Sequence, residues 1–134
     1  MSGFAAALAE AIDTVEADAL QIRAEATGKL FRAVEADTPV LTGYLRSNWQ
    51  ATVGDIPWSE AAIRPLSESF AEIEQAVNSA KEDEPIFLTN NTVYGPRIEF
   101  DGWSGKAPQG MMRINATRWP AFVEEAADEL GGRR

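Results

Sequence analysis

The chain has 134 residues, close to the usual size of one domain, and its 45% hydrophobic and 25% charged residues are typical of an ordinary folded protein. Because 21 acidic residues outnumber 12 basic ones, the formal charge is -9, which disfavours direct binding to nucleic acid or anionic lipid. The absence of cysteine and histidine excludes a disulfide, a thiolate or imidazole zinc site, a Cys nucleophile and a Ser-His-Asp triad.

The N-terminal segment does not have the pattern of a targeting sequence. It lacks a basic region at its start, and Glu10 and Asp13 interrupt its alanine-rich stretch. A signal peptide and a membrane span both need an uninterrupted apolar run. We therefore expect a protein that is made in the cytoplasm and has no membrane partner.

A helical pattern occupies the first part of the chain. Apolar residues recur at steps of three or four and predict an amphipathic helix over about residues 4–36: Leu8, Ile12, Val15, Ala19, Ile22, Ala26, Leu30 and Val34. Such a helix is roughly 50 Å long, whereas the radius of gyration expected for a domain of this size is about 14 Å. Either Gly28 kinks or breaks the helix, or part of it packs on another subunit, and the length favours the second.

The predicted helix ends at Asp37, because Thr38 precedes Pro39 and is pushed out of the helical region. After a turn at Thr42-Gly43, the pattern changes to period two and predicts a strand from residue 45. One face would carry Leu45, Ser47, Trp49, Ala51 and Val53, and the solvated face Arg46, Asn48, Gln50 and Thr52. Residues 58–64 fit either a short strand or irregular chain.

A second helix is predicted from residue 66 to about residue 80, with Leu66, Phe70, Ile73 and Val77 on its apolar face. The charged residues 81–84 predict a solvated connection, and residues 86–89 a short buried strand. A turn is expected at Asn90-Asn91.

The last third of the chain predicts an extended segment at Tyr94, Ile98 and Phe100, followed by a glycine-rich loop over residues 101–108. Apolar steps from Met112 to Leu130 predict a third helix, which either is kinked at Pro120 or begins there. The sum is one α+β domain. It comprises a long helix over residues 1–36, a core over residues 37–130 with a small, mostly antiparallel sheet and two further helices, and a flexible tail over residues 131–134.

No motif in the sequence predicts catalysis, a cofactor or a metal. Gly105-Lys106 lacks the first glycine and the Ser or Thr of a phosphate loop, and Ser104 has no histidine to serve as its base. A serine paired with Lys29, Lys81 or Lys106 is the one enzymatic alternative that the residue types leave. We therefore expect that the protein is not an enzyme.

The four tryptophans are many for this length. Trp49 and Trp119 keep the apolar periodicity and are expected in the core. Trp103 lies in a polar loop and is expected at an interface, where tryptophan is enriched.

Two stretches of the chain resemble a known family, the small neck and tail-completion proteins of long-tailed bacteriophages. In residues 38–49, which resemble the helix-to-strand junction of that family, the matching positions are Thr38, Pro39, Thr42, Gly43, Leu45, Arg46 and Trp49. In the second half the matching positions are Asn90, Tyr94, Glu99, Gly102, Pro108, Gly110 and Met111. The chain departs from the family pattern at Pro96 and at Phe100-Asp101.

The resemblance implies a structural virion protein that is assembled in the host bacterial cytoplasm. Such proteins form a ring, commonly of six subunits, at the head-tail junction, between the portal or connector and the tail-terminator or tail-tube proteins. DNA would pass through the axial channel without sequence-specific binding, and an acidic lining would favour its passage.

For the matching residues, the resemblance leaves two roles open, maintenance of the fold or direct contact with a neighbouring subunit. Arg46 is expected on the wet face, where it would pair with Glu99 on a neighbouring strand or subunit. A different class of function also fits the composition, an acidic adaptor or antitoxin-like module that binds a basic partner protein.

Overall fold

A computed structural model describes residues 2–101 and 104–133 of the chain. This part contains six helices and two strands: α1 (Ser2–Ala36), α2 (Tyr44–Ser47), β1 (Trp49–Val53), α3 (Leu66–Ser79), β2 (Ile86–Asn90), α4 (Gly95–Phe100), α5 (Met112–Ala116) and α6 (Trp119–Gly132). The predicted α+β fold is confirmed. The second helix expected from the sequence is α3. The third, expected from Met112 to Leu130, is divided into α5 and α6, and the short helices α2 and α4 were not predicted.

Helix α1 is continuous over 35 residues, so Gly28 does not break it. Its C-terminal half is buried on two sides. Phe31 and Val34 belong to the main core, while Ala26 belongs to a second cluster with α6. In its N-terminal half, every residue from Gly3 to Ala17 is exposed. About half of this helix therefore has no packing partner within the described chain.

The sheet consists of β1 and β2 in antiparallel register, with Trp49 opposite Asn90 and Val53 opposite Ile86. Helices α1 and α3 cover it. The main core is formed by apolar side chains from these elements, among them Phe31, Val34, Trp49, Ala51, Ile73, Val77 and Leu88. A two-stranded sheet is marginal by itself, so it depends on this helical cover.

Helix α6 packs along the C-terminal half of α1 in the opposite direction. Lys29 Nζ lies 2.8 Å from Glu129 and 3.5 Å from Glu125, while Arg133 lies 2.6 Å from Glu25. The helix begins at Trp119, with proline in its first turn, which decides between the two alternatives for residue 120. Gly131 and Gly132, which the sequence assigned to the tail, form the end of α6.

The strand predicted from residue 45 begins only at Trp49, and residues 44–47 form α2 instead. The reason is local. Gly43 has φ 89°, and Thr42 Oγ1 accepts a hydrogen bond from Tyr44 N–H at 3.2 Å, so the chain turns sharply into a helical turn. The alternation still predicts burial of Leu45 and Ser47 correctly.

Asn48 was expected on the solvated face, but it is completely buried. Its side-chain amide donates to the carbonyls of Tyr44 and Ala61 and accepts from Ala61 N–H at 2.6 Å. These bonds satisfy the polar side chain without water. Residues 58–64, for which the sequence left two alternatives, are irregular chain held by such contacts.

The extended segment predicted around Tyr94, Ile98 and Phe100 is also wrong, because residues 95–100 form α4. Pro96 lies in the first turn, where its fixed φ suits a helix and its missing N–H costs nothing. Ile98 is partly buried, whereas Tyr94 and Phe100 are exposed.

Candidate functional site

The first family-like segment is closed by a buried hydrogen bond between its two ends. Thr38 Oγ1 donates to the carbonyl of Val34 at 2.7 Å and accepts from Trp49 Nε1 at 2.8 Å. Both side chains are buried, at 3% and 5% exposure. A buried indole N–H needs such an acceptor, so Thr38 allows the tryptophan to lie in the core.

The turn between these two residues leaves apolar side chains on the surface. Leu41 is 98% exposed and Val40 is 41% exposed. Pro39 is partly buried, and Leu45 is buried below the turn. The loop therefore presents an apolar tip while its ends are held in the core.

A second set of hydrogen bonds, made by Arg64, connects β1 to α3. Arg64 binds Glu72 through two nitrogens, at 2.9 and 3.1 Å, and donates to the Trp49 carbonyl at 2.9 Å. The bond to Glu72 raises the pKa of Arg64. Neither residue was predicted from the sequence, because no local pattern marks the bonds that Arg64 makes to Glu72 and to Trp49.

Glu35 is the other residue that the sequence analysis missed. It is completely buried next to this network, and neither carboxylate oxygen has a hydrogen-bond partner among the described residues. Burial raises the pKa of Glu35 to about 8, against the opposing effects of Arg64 and Arg46, and Glu72 raises it further. The carboxyl group is therefore mostly protonated at neutral pH.

The second family-like segment is bonded directly to the first. Asn90 Nδ2 donates to the Leu45 carbonyl at 2.9 Å, and Asn90 Oδ1 accepts from Thr92 Oγ1 at 2.8 Å. The structure thus brings Asn90 and Leu45 together, as neighbours in one junction.

Glu99 organises the start of α5. Its carboxylate accepts from Met111 N–H at 3.1 Å, from Met112 N–H and from Arg113 Nε at 3.0 Å, and its carbonyl accepts from Arg113 as well. Burial by itself would raise the pKa of Glu99, but these backbone and arginine bonds outweigh it and hold the pKa below its usual value. The predicted pair of Arg46 with Glu99 on a neighbouring strand is wrong in this chain, because Glu99 lies on α4 and pairs with Arg113.

Gly110 lies against Glu99 so closely that no other residue fits. Its φ is 85°, and an added Cβ would overlap the Glu99 carboxylate and backbone carbonyl. Met111 beside it is 1% exposed. Pro108 is exposed. Gly102 and Trp103 lie outside the described residues, so the interface expected at Trp103 stays a prediction.

An open groove lies where the two segments meet, with a volume of about 860 Å³, and we call it the junction groove. Its apolar lining includes Val40, Leu41, Tyr44, Ile63, Tyr94 and Ile98, and Lys106 lies on its wall. Ile63 is 60% exposed and Tyr94 is 50% exposed. The groove is thus an apolar surface in contact with solvent.

A second apolar surface lies on the free half of α1, and we call Phe4, Leu8, Ile12 and Val15 the α1 stripe. Their exposure ranges from 49% to 67%. The steps of four, four and three place them on one face of the helix, the face that continues to Ile22 and Ala26 at α6. The exposed residues 3–17 contain Glu10, Asp13 and Glu16 and no Lys or Arg, so the free half of α1 is acidic.

Within the described residues there is no group of three acidic side chains placed to hold a metal ion. Nor does the described part of the chain contain a helix long and apolar enough to cross a membrane. Comparison with models of known protein families, with curated proteins and with solved structures finds no match for this chain.

Proposed function

We propose that this protein is a structural subunit that assembles into a ring, as neck and tail-completion proteins do at the head-tail junction of long-tailed bacteriophages. The observation that carries the proposal is the free half of α1, which exposes an apolar stripe to solvent. Contiguous apolar surface of this kind marks an interaction site. A second copy of the chain, or a neighbouring virion protein, would bury it.

The family-like residues support a mechanical role. Thr38 and Trp49 join the end of α1 to β1, and Asn90 joins β2 to the same junction. Glu99 and Gly110 hold α5 against α4. These residues therefore hold the fold together around the junction groove, while the groove itself stays open for contact.

The ring would lie between the portal or connector and the tail-terminator or tail-tube proteins of a virion, and six copies are expected from the resemblance. DNA would pass through its axial channel. With a net charge of -9, the subunit offers phosphates few counter-charges, so passage would leave DNA unbound.

The proposal is tested by measuring the mass of the purified protein by light scattering. The protein is measured first by itself and then after addition of the proteins encoded beside it. A closed assembly near six times 14.6 kDa, in either condition, supports the ring. Electron microscopy of the same sample then shows whether the assembly is annular. A monomer in every condition, with no neighbour bound, overturns the proposal.

The acidic free half of α1 also supports a second candidate, an adaptor or antitoxin-like module that binds a basic protein. The exposed residues 3–17 include Glu10, Asp13 and Glu16 and no Lys or Arg. In this case the same experiment would give a one-to-one complex with a basic partner and no self-assembly.

A further inference from the structure

We propose that the α1 stripe of one copy docks in the junction groove of the next copy. This inference rests on the proposed self-assembly and names the two surfaces that make it. Each is apolar and open to solvent in the described chain, with Ile12 49% exposed on the stripe and Leu41 98% exposed at the groove.

The stripe cannot reach the groove of its own chain. The groove begins at Pro39, just beyond the end of α1 at Ala36, whereas the stripe ends at Val15. The continuous helix between Val15 and Ala36 separates them by about 32 Å at ~1.5 Å per residue. Because an uninterrupted helix does not fold back, contact between the two surfaces joins different copies.

The two surfaces match in shape class and in charge. An amphipathic helix binds an apolar groove through anchors three or four residues apart, which is the spacing of the α1 stripe. The helix is acidic along residues 2–22. Lys106 lies on the groove wall, where Tyr44 of the lining is hydrogen-bonded to Glu60. Docking would bring the acidic helix beside Lys106, and this attraction between opposite charges favours a second copy as the occupant.

The position of the surfaces at opposite ends of α1 determines the symmetry. A contact between two different patches is heterologous, so it repeats from copy to copy and gives a ring when the rotation closes. A pairing of stripe with stripe would be isologous and would stop at a dimer. The exposed part of α1, residues 3–17, is about 22 Å long and is the arm that spans from one subunit to the next.

The test uses two full-length variants, Ile12→Glu on the stripe and Leu41→Glu at the groove. Both positions are exposed, so the fold should be retained, which circular dichroism checks. Each variant alone should self-associate at least about 100-fold more weakly, since a charge would be buried without a partner. Mixed in equal amounts, they should form a heterodimer, because one intact stripe then meets one intact groove, and no ring should form.

Matched control variants distinguish loss of the contact from a general effect of the added charge or of a changed side-chain size. Ala17→Glu adds the same charge on the opposite face of α1 and should assemble as the wild type does. Leu41→Met keeps the groove apolar and should also assemble. All samples are measured by sedimentation velocity, alone and with the neighbouring virion proteins in case these are needed as a template.

The remaining outcomes each overturn the inference in a distinct way. Loss of assembly in Ile12→Glu only, without rescue on mixing, indicates stripe-to-stripe pairing. Wild-type assembly of Leu41→Glu with loss of a neighbouring virion protein assigns the groove to that protein, and wild-type behaviour in every respect shows that the groove is not used in assembly. In the last two cases the ring stands and only the docking fails, whereas stripe-to-stripe pairing stops at a dimer and overturns the ring as well. A wild-type monomer under every condition overturns both the ring and the docking.

A cross-link provides a direct readout, because the chain has no native cysteine. Leu8→Cys protein mixed with Leu41→Cys protein should give a disulfide-linked heterodimer on mild oxidation. Ala17→Cys in place of Leu8→Cys should not. Equal yields from the two mixtures would contradict a specific contact between stripe and groove.

Discussion

The indole N–H of Trp49 donates to the hydroxyl of Thr38 across 2.8 Å in the core, and the same hydroxyl donates to the last turn of α1. One threonine hydroxyl thus provides a hydrogen-bond donor for a carbonyl at the end of the long helix and an acceptor for the largest side chain of β1. The turn that carries the apolar tip of the junction groove lies between the two residues.

Replacement of Thr38 by Val should destabilise the fold, because the shape is kept but the buried indole N–H loses its acceptor. We expect the free energy of unfolding to fall by about 1–3 kcal/mol. Urea denaturation measures it. Thr38→Ser keeps the hydroxyl and is the control, and an equal loss in both variants would contradict the role of the hydrogen bond.

Gly110→Ala should be among the most damaging single methyl additions in the chain. The added Cβ overlaps Glu99, and the φ of 85° is strained for any other residue. We expect a loss of at least about 2 kcal/mol in the free energy of unfolding. Gly105→Ala is the matched control, since nothing lies within 4 Å of its added Cβ. If both variants melt at the same temperature, the packing of Gly110 on Glu99 is not needed.

Glu35 should make the protein less stable as the pH rises. The pKa of the buried carboxyl is about 8 in the fold, against about 4.3 in an unfolded chain, so the folded state holds the extra proton between these values. The stabilisation is complete below the lower value and is lost as the pH rises through the higher one. The total change is at most about 5 kcal/mol.

The variant Glu35→Gln removes this titration, so its stability should vary less than the wild type's between about pH 5 and pH 9 and should exceed the wild type's at the alkaline end. Denaturation across that pH range measures it, with the exposed Glu124→Gln as the control. Identical pH profiles for the wild type and Glu35→Gln would mean that the carboxyl is not buried as described.

Glu99 should have the opposite pH dependence. Burial opposes its charge, but bonds from backbone N–H groups and Arg113 hold the pKa below its usual value. The resulting stability is present above the ordinary carboxyl range and is lost as the pH falls below it. Glu99→Gln should therefore flatten the acid limb of the stability profile and cost about 1–3 kcal/mol at neutral pH. An unchanged acid limb would argue against these bonds.

The sequence was sufficient for the elements with a long, regular pattern. The apolar steps of α1 and α3, and the proline that follows Thr38, predicted both helices and the end of the first. The sequence pattern gave the wrong element where a single residue determines the conformation of a short segment. Gly43 starts α2 and Pro96 starts α4 at places where the apolar pattern indicated extended chain.

The junction itself was only partly predictable. The family-like residues were identified from the sequence, but the partner of Glu99 was not, since α5 comes into contact with it only in the fold. Arg64 and Glu35 have no local signal, because their role depends on distant neighbours and on burial. The junction groove likewise exists only when the turn at residues 39–45 meets Tyr94, Ile98 and residues 104–106 in the fold.

The most direct test of assembly through the free half of α1 is a sedimentation velocity measurement of the wild type beside Ile12→Glu, each alone and with the proteins encoded beside it. If the α1 stripe drives assembly, we expect a closed multimer for the wild type and a folded monomer for Ile12→Glu. The same multimer from both proteins would contradict the role of the α1 stripe, and a monomeric wild type in every condition would contradict the ring.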